Sequence, residues 1–477
     1  MTTFPTKEVN FYVIMQTSLS FLPVEIQHRD IFQPYLTKDS WTCDRSFANL
    51  FCWQHYYRIQ WAEANGFLIV RAHINGERRA AYILATQEKT PSYDGIIPLL
   101  EEDAAKNNLP LTLMGLGDSE CDELQRQLPG LFVFDRNRDF ADYIYNIDDL
   151  KTLKGRKYAQ KRNHVNKFRS LYNYRYETIT PNNIRDCLQL EEAWISQHDD
   201  DESARSESLT IQNAFRHFEE LGLYGGALYV DNQLVAFTYG SALSDNLFCT
   251  HVEKADIRYE GVYQMINQLF AQHLPQQYTF INREEDMGIA GLRKSKTSYH
   301  PAMMAYKTTA LKLNDDMRDI LHIWNTCFGE TDTSIFPFLS RYYFSHCTMV
   351  EKINAHIVSM TFMIPCQTPF GLAAYLYGIA TLPEFQHQGI ASRLIRNMLN
   401  ECHKNGALFS FLILENDDLL SFYTQFGYKP THTTAIFTSD MDLGTGDTKK
   451  DRILVLPFDG SFQTESLPET MECNPML

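Results

Sequence analysis

The feature that most restricts the fold of this 477-residue chain is an order of elements that occurs twice. In the first copy, GALYV (226–230) and LVAFTYG (234–240) flank the turn Asp231-Asn232-Gln233, which reads as a β-hairpin. The strand LFCTHVE (247–253) follows, then a loop, an apolar-periodic helix entered at Gly261, and the strand YTFINRE (278–284). In the second copy the hairpin is CTMVEKI (347–353) and HIVSMTFMI (356–364). The strand AAYLYGIAT (373–381), a helix from Gly389 and the strand FSFLILE (409–415) complete it. A strand, a helix about ten residues later and another strand predict βαβ crossovers. The class is therefore α/β, with a mixed sheet that has a parallel portion. A weaker third version runs from 67 to 135, with GFLIVRAH and RRAAYILAT around Asn75-Gly76, a helix over 96–106 and the strand LPLTLMG. These repeats predict units at 1–150, 151–305 and 306–442. Residues 443–477 read as a tail with at most one strand, in ILVLPF.

Composition removes several functions. The net charge of −16 repels polyanions over most of the surface, which disfavours a general nucleic-acid or anionic-membrane binder. The ten cysteines form no C-x-x-C pair, so zinc ribbons and thioredoxin-like chemistry are excluded and no metal site is expected. They read as small buried hydrophobes of a reducing compartment. No run approaches the roughly 18 apolar residues of a membrane span, so a cytoplasmic protein is expected.

The sharpest local signal is Leu382-Pro383-Glu384-Phe385-Gln386-His387-Gln388-Gly389-Ile390-Ala391, between a strand and a helix. Amides in the first turn of a helix lack intrahelical partners, and the dipole there favours negative charge. Gly389 lets a phosphate approach the backbone and Ala391 keeps the next turn small, which suits a pyrophosphate. A plain helix start with a glycine for its turn is the alternative.

The stretch IATLPEFQHQGIASRLI resembles the acyl-CoA-binding signature of the GNAT superfamily of N-acetyltransferases, and the likeness continues through Glu415-Asn416 to Tyr423-Thr424-Gln425-Phe426-Gly427-Tyr428. It covers roughly residues 311–442. This resemblance implies acetyl-CoA as cofactor and an amine, small-molecule or peptide, as acceptor. It implies that Gln388, Gly389, Ile390 and Ala391 supply amides to the pyrophosphate, with Gln386 where the family has Gln or Arg. The strand end Ile379-Ala380-Thr381 would bond the pantetheine arm, Asn416 would contact it, and Tyr423 would protonate the departing thiolate. Direct attack needs no covalent intermediate, and no convincing Ser/His/Asp or Cys/His arrangement is visible. The general base stays open between Glu384, Glu415 and a water chain.

The first copy lacks this cradle, because Glu260 adjoins the helix start and a carboxylate there would compete with phosphate. No coenzyme A is expected at that site. Three long stretches, 135–168, 250–267 and 280–304, resemble a bacterial family related to the catalytic domain of phosphatidylglycerol lysyltransferases, which has a duplicated GNAT-like fold and aminoacyl-tRNA as donor. The whole chain is thus expected to hold tandem GNAT-like folds, three units in all. Residues 151–176 carry nine Lys or Arg and no acid, a patch that could grip tRNA phosphates or be a solvated helix face balanced by HDDDE (198–202). Arg283, Glu284, Arg293 and Lys296 could bind a zwitterionic amino-acid group or form structural ion pairs. His251, alone on an apolar strand, reads as a satisfied core residue. Residues 1–305 therefore carry a second reading, an aminoacyl-tRNA-dependent transferase, and a third, a non-catalytic binding module.

Overall fold

A computed structural model describes residues 18–36, 41–74, 79–107, 109–196, 202–330, 332–341, 343, 347–414, 417–437, 452–458, 462–464 and 467–476. The expected turn at Asn75-Gly76, most of the acidic run 198–202, and both Glu415 and Asn416 lie outside these residues. The chain divides into two compact units, Met1–Gln127 with Arg136–Thr309, and Leu128–Asp135 with Ala310–Leu477.

In the first unit, β1 (Leu22–Pro23), β2 (Gln60–Ala64), β3 (Phe67–Ile74), β4 (Arg79–Thr86) and β5 (Thr112–Leu116) lie side by side in chain order. The strand β6 (Phe132–Asp135) belongs to the second unit. A further sheet of the first unit holds β7 (Asp142–Asn146), β8 (Tyr174–Thr178), β9 (Tyr224–Val230), β10 (Gln233–Ala242), β11 (Leu247–Ala255), β12 (Phe280–Asn282) and β13 (Met303–Ala305). Its order is β13-β7-β12-β11-β10-β9-β8. One buried cluster joins Trp61, Val70 and Ile83 of the first sheet to Phe237 and Tyr239 of the second and to Phe215 of the helix Glu202–Arg216. Residues on both sides of the expected unit boundary at 150 share this core, and β7 pairs antiparallel with both β12 and β13.

After β14 (Thr308–Lys312), the second unit is built on β15 (Thr348–Ile353), β16 (His356–Thr368), β17 (Gly371–Thr381), β18 (Phe409–Ile413), β19 (Lys429–Phe437), β20 (Arg452–Pro457) and β21 (Thr470–Pro475). Its order is β15-β16-β17-β18-β20-β19-β21. The expected tail is corrected here. Residues 443–477 supply two strands: β20 lies between β18 and β19, and β21 runs from β19 back to the far end of β16. ILVLPF is apolar because it is an interior strand, with Ile453 and Val455 fully buried. The helix Asp315–Phe328 begins at the Asn314 cap, whose side chain accepts from the Met317 N–H, and ends at left-handed Gly329. It buries Met317, Ile320, Ile323 and Trp324.

Candidate functional site

In the second unit, β17 and β18 pair only where Ala373–Tyr375 meet Phe409–Phe411. Beyond Tyr375 the two strands no longer pair. On its other side β17 keeps to β16, but Met360 faces Ala380 while Phe362 faces Tyr377, so Gly378 and Ile379 together oppose Thr361. This bulge requires glycine: Gly378 has φ 60°, and a Cβ there would lie 3.0 Å from the Trp324 ring and 3.1 Å from Phe362. Ile379, Ala380 and Thr381 thus form a bulged strand end. The Ser359 hydroxyl bonds the Ala380 carbonyl at 2.8 Å and lies 2.7 Å from the Thr381 hydroxyl.

The loop into the helix Ile390–Lys404 is held by its own amide side chains. Gln386 Nε2 donates to the Thr381 carbonyl at 3.0 Å, and Gln388 Nε2 to the Glu384 carbonyl at 3.3 Å. Gly389 caps the helix in the left-handed region at φ 72°, and a Cβ on it would meet nothing within 4 Å. Gln388 and Gly389 are exposed, Ala391 is half-buried, and Ile390 is buried with Leu394, Ile395 and Met398 on the inner face. The first backbone bond from this end runs from the Arg393 N–H to the Gly389 carbonyl, leaving the preceding amides outside the helical ladder. Tyr423 sits on the short helix Leu420–Thr424, 9% exposed, with its ring 5.1 Å from Phe422 and 6.2 Å from Tyr428. Glu384 is exposed.

The first copy repeats the backbone and not the opening. β11 and β12 pair only over Leu247–Cys249 and Phe280–Asn282, and the β10–β11 register skips His251. Gly261 caps the helix Val262–His273 at φ 83°, but a Cβ there would lie 2.4 Å from the His164 carbonyl oxygen. The helix Ala159–Leu171 stands across this mouth. Glu260 is turned to Lys167 at 2.7 Å, and its N–H donates to the Tyr172 hydroxyl.

The four charged residues singled out at 283–296 divide into separate roles. Arg293 grips Asp286 through Nε and Nη2, at 2.9 and 2.8 Å, and also bonds Asp139. Burial alone would raise the Asp286 carboxyl, but hydrogen bonds from Arg293, Tyr143 and the Gly288 N–H hold it well below the usual carboxylate range. Lys296 is buried and donates to the carbonyls of Arg283 and Glu285, and burial pulls its ammonium down. Both side chains are thus engaged by groups of the protein itself. Arg283 lies against Tyr145 and Tyr299 and pairs with Glu253 at 3.1 Å, while its buried Nη1 has no hydrogen-bond partner among the described residues. Glu284, at φ 57°, accepts from His251.

Much of the basic stretch is also committed. Arg162 donates to the carbonyls of Leu153 and Gly155, Lys157 meets Asp149, Arg175 meets Glu177, and Lys161 lies over Tyr299. Lys154 and Arg156 remain exposed. Two sets of potential ligand atoms are gathered, Cys249/His251/Glu284 and Cys43/Asp142/Glu285. In the second, the Lys307 ammonium already sits 2.8 Å from Asp142, 2.9 Å from Glu285, 3.1 Å from Asp44 and 3.2 Å from Cys43 Sγ. In the first, His251 lies 2.9 Å from Glu284 Oε1, and burial pushes the Cys249 thiol well up. Sequence reasoning missed the Lys307 cluster because its members are spread from 43 to 307.

Residues 37–309 match the family Phosphatidylglycerol lysyltransferase, C-terminal, and residues 310–431 match the family Acetyltransferase (GNAT) domain. The chain belongs to the phosphatidylglycerol lysyltransferase C-terminal family and carries a GNAT acetyltransferase domain after it. Both are acyltransferase families. A conserved protein of unknown function from Bacteroides thetaiotaomicron is 38% identical, with TM-score 0.59, and the match covers 62% of this chain and 100% of that one. L-PGS from Bacillus licheniformis is 13% identical, with TM-score 0.43, over 61% of this chain and 93% of that one. An uncharacterized protein of Mycoplasmoides gallisepticum is 30% identical over 166 residues, which are 34% of this chain and 53% of that protein. The chain therefore spans about half the length of that relative. Among the described residues no helix is long and apolar enough to cross a membrane.

Proposed function

We propose that the C-terminal domain transfers an acetyl group from acetyl-CoA to a primary amine of a small molecule or peptide. The observation that carries this reading is the helix mouth at Gly389, where a Cβ would meet no heavy atom of the described residues within 4 Å, beside strands that part beyond Tyr375. Amides from Gln388 to Ala391 would hold the diphosphate of coenzyme A at the positive end of the helix Ile390–Lys404, with Gln386 tying the loop to the Thr381 carbonyl. The main chain of Ile379, Ala380 and Thr381, unpaired on the β18 side, would bond the pantetheine arm as an added strand does; by its place in the sequence motif, Asn416 would contact the same arm. The amine would attack the thioester carbonyl directly, and the Tyr423 hydroxyl would protonate the leaving sulfur. Calorimetry of the full chain with acetyl-CoA should give a dissociation constant in the micromolar range, and no binding at tens of micromolar would defeat the proposal. A panel of amines followed by thiol release then identifies the acceptor. The full chain is needed, because ending it at 442 removes β20 from the middle of the sheet.

A second reading, an aminoacyl-tRNA-dependent transferase in residues 1–305, is favoured by one observation: the unpartnered Arg283 Nη1 between two tyrosines, a group able to take an anionic ligand. A tRNA shift assay with Lys154→Glu and Arg156→Glu tests it, since Arg162 holds backbone and is unsuitable. Indifference to both reversals would rule out this basic patch as the grip on tRNA.

A further inference from the structure

We propose that Ser241, His251 and Glu284 form a nucleophile–base–carboxylate relay, a second catalytic centre that takes the acyl group of a short carboxylic ester. Ser241 Oγ lies 2.7 Å from His251 Nε2, and His251 Nδ1 lies 2.9 Å from Glu284 Oε1. That is the connectivity of an activated serine: hydroxyl to one ring nitrogen, carboxylate on the other. The Glu284 oxygen also accepts from Asn49 Nδ2 at 2.9 Å, so an acceptor of two N–H groups fixes the imidazole with Nδ1 as donor and Nε2 as acceptor.

Three features of the backbone aim this set. His251 is the residue skipped in the β10–β11 register, since Tyr239 faces Val252 and Gly240 faces Thr250. A bulge re-aims the side chain it carries. Gly240 permits it, because a Cβ there would lie 1.8 Å from the Cys249 carbonyl oxygen. Glu284 is held at φ 57°, a conformation disfavoured for a residue with a side chain and found at sites that need an exact direction.

Ser241 also faces space. It lines a cavity of about 230 Å³ whose wall includes Ser46, Arg29, Leu243 and Gln277. Ser46 Oγ lies 3.3 Å from Ser241 Oγ and accepts from the Asn49 N–H, so its own proton points along the chain toward Ser241 or toward a bound carbonyl oxygen. The cavity has room for a short acyl group and a small alcohol portion.

The step balances without an added oxidant or reductant. Ser241 Oγ bonds the ester carbonyl carbon as its proton passes to His251 Nε2. The carbon–oxygen bond to the alcohol breaks, and the alcohol leaves with that proton. Water then attacks the acyl-serine, giving one proton to Ser241 Oγ through His251 and releasing the carboxylic acid.

The test is labelling of the full chain with an alkyl fluorophosphonate, which reacts with activated serines by losing fluoride. Intact mass should gain one adduct, mapped to Ser241 by peptide mass. Ser241→Ala should abolish it and His251→Gln should slow it at least about a hundredfold, the scale of a lost general base. Folding of each variant is checked by circular dichroism. Should His251→Gln fail to fold, Glu284→Gln decides: without the carboxylate that orients the imidazole, labelling should slow at least about tenfold. No adduct at Ser241 in the folded protein, or a labelling rate indifferent to His251→Gln or to Glu284→Gln, would overturn the proposal.

Discussion

The two glycine-capped helices, one entered at Gly261 and one at Gly389, share almost every local device and end with opposite surroundings. Each follows a bulged hairpin, each has its glycine in the left-handed region, and each leads to a strand that pairs with the strand before the helix over only three residues. At Gly389 nothing lies within 4 Å of where a Cβ would be, whereas at Gly261 the His164 carbonyl lies 2.4 Å away. The cleft between the strands differs too. In the first copy Arg283 pairs with Glu253, and Arg293 with Asp286 and Asp139, around the end of β12. In the second, the segment after β18 brings up Tyr423. A helix mouth is thus an anion site only when the rest of the fold leaves it free, and the motif alone does not decide that.

The largest effect expected from breaking the comparison is at the first copy's charge cluster. Asp286→Asn leaves Arg293 and Arg138 without their buried charge partner, at a cost of about 3–5 kcal/mol to the first unit. The pH dependence follows from the direction of the shift. The Asp286 carboxyl is held below its ordinary 3.8, so its contribution is present above that value and is lost as pH falls through the depressed one. Urea denaturation of wild type should therefore lose stability on acidification, and the variant should lose less over the same range. Equal acid slopes would show that the cluster is not what holds this region.

Next is Gly261→Ala. The added Cβ meets backbone rather than a yielding side chain, and the residue must keep a positive φ. Together these should cost about 3 kcal/mol. A loss below about 1 kcal/mol in the same denaturation assay would mean that the helix Ala159–Leu171 does not close this mouth.

How far the sequence announced this comparison depends on how local each signal is. The hairpins, both glycine-led helices and the strands after them were legible, because period-2 and period-3.6 patterns are written within a dozen residues. The absence of a cradle in the first copy was also legible, though the reason assigned to it was the Glu260 carboxylate. The structure turns that group to Lys167 and closes the mouth with a helix a hundred residues earlier. The position of β20 inside the sheet was hidden, since an apolar run reads the same as an interior strand or as part of a tail. The relay at Ser241, His251 and Glu284 was hidden as well. Its members lie on β10, on β11 and just past β12, and only the bulge at His251 brings them together. His251 read as a satisfied core residue, and it is satisfied, by groups that carry chemistry.

Tyr423→Phe sharpens the comparison from the catalytic side, since the first copy has ion pairs where the second has this hydroxyl. Removing a proton donor from the leaving sulfur should lower turnover about a hundredfold, which is about 2.7 kcal/mol in the barrier, with little change in acetyl-CoA affinity. Thiol release and calorimetry on the same preparation separate the two. Unchanged turnover would remove the acid role from Tyr423.

The smallest stability effect, and the one that reads the open mouth most directly, belongs to Gly389→Ala. No atom obstructs the new methyl group, so only the left-handed backbone opposes it, at about 1 kcal/mol against about 3 for the same change at Gly261. Affinity should respond differently. A methyl at the entrance of the helix stands where a diphosphate would approach the amides, so acetyl-CoA binding should weaken about tenfold or more while the fold holds. In the Gly261 variant acetyl-CoA affinity should not move. If both changes destabilise equally, the two mouths are packed alike. If Gly389→Ala leaves affinity intact, the diphosphate is held elsewhere.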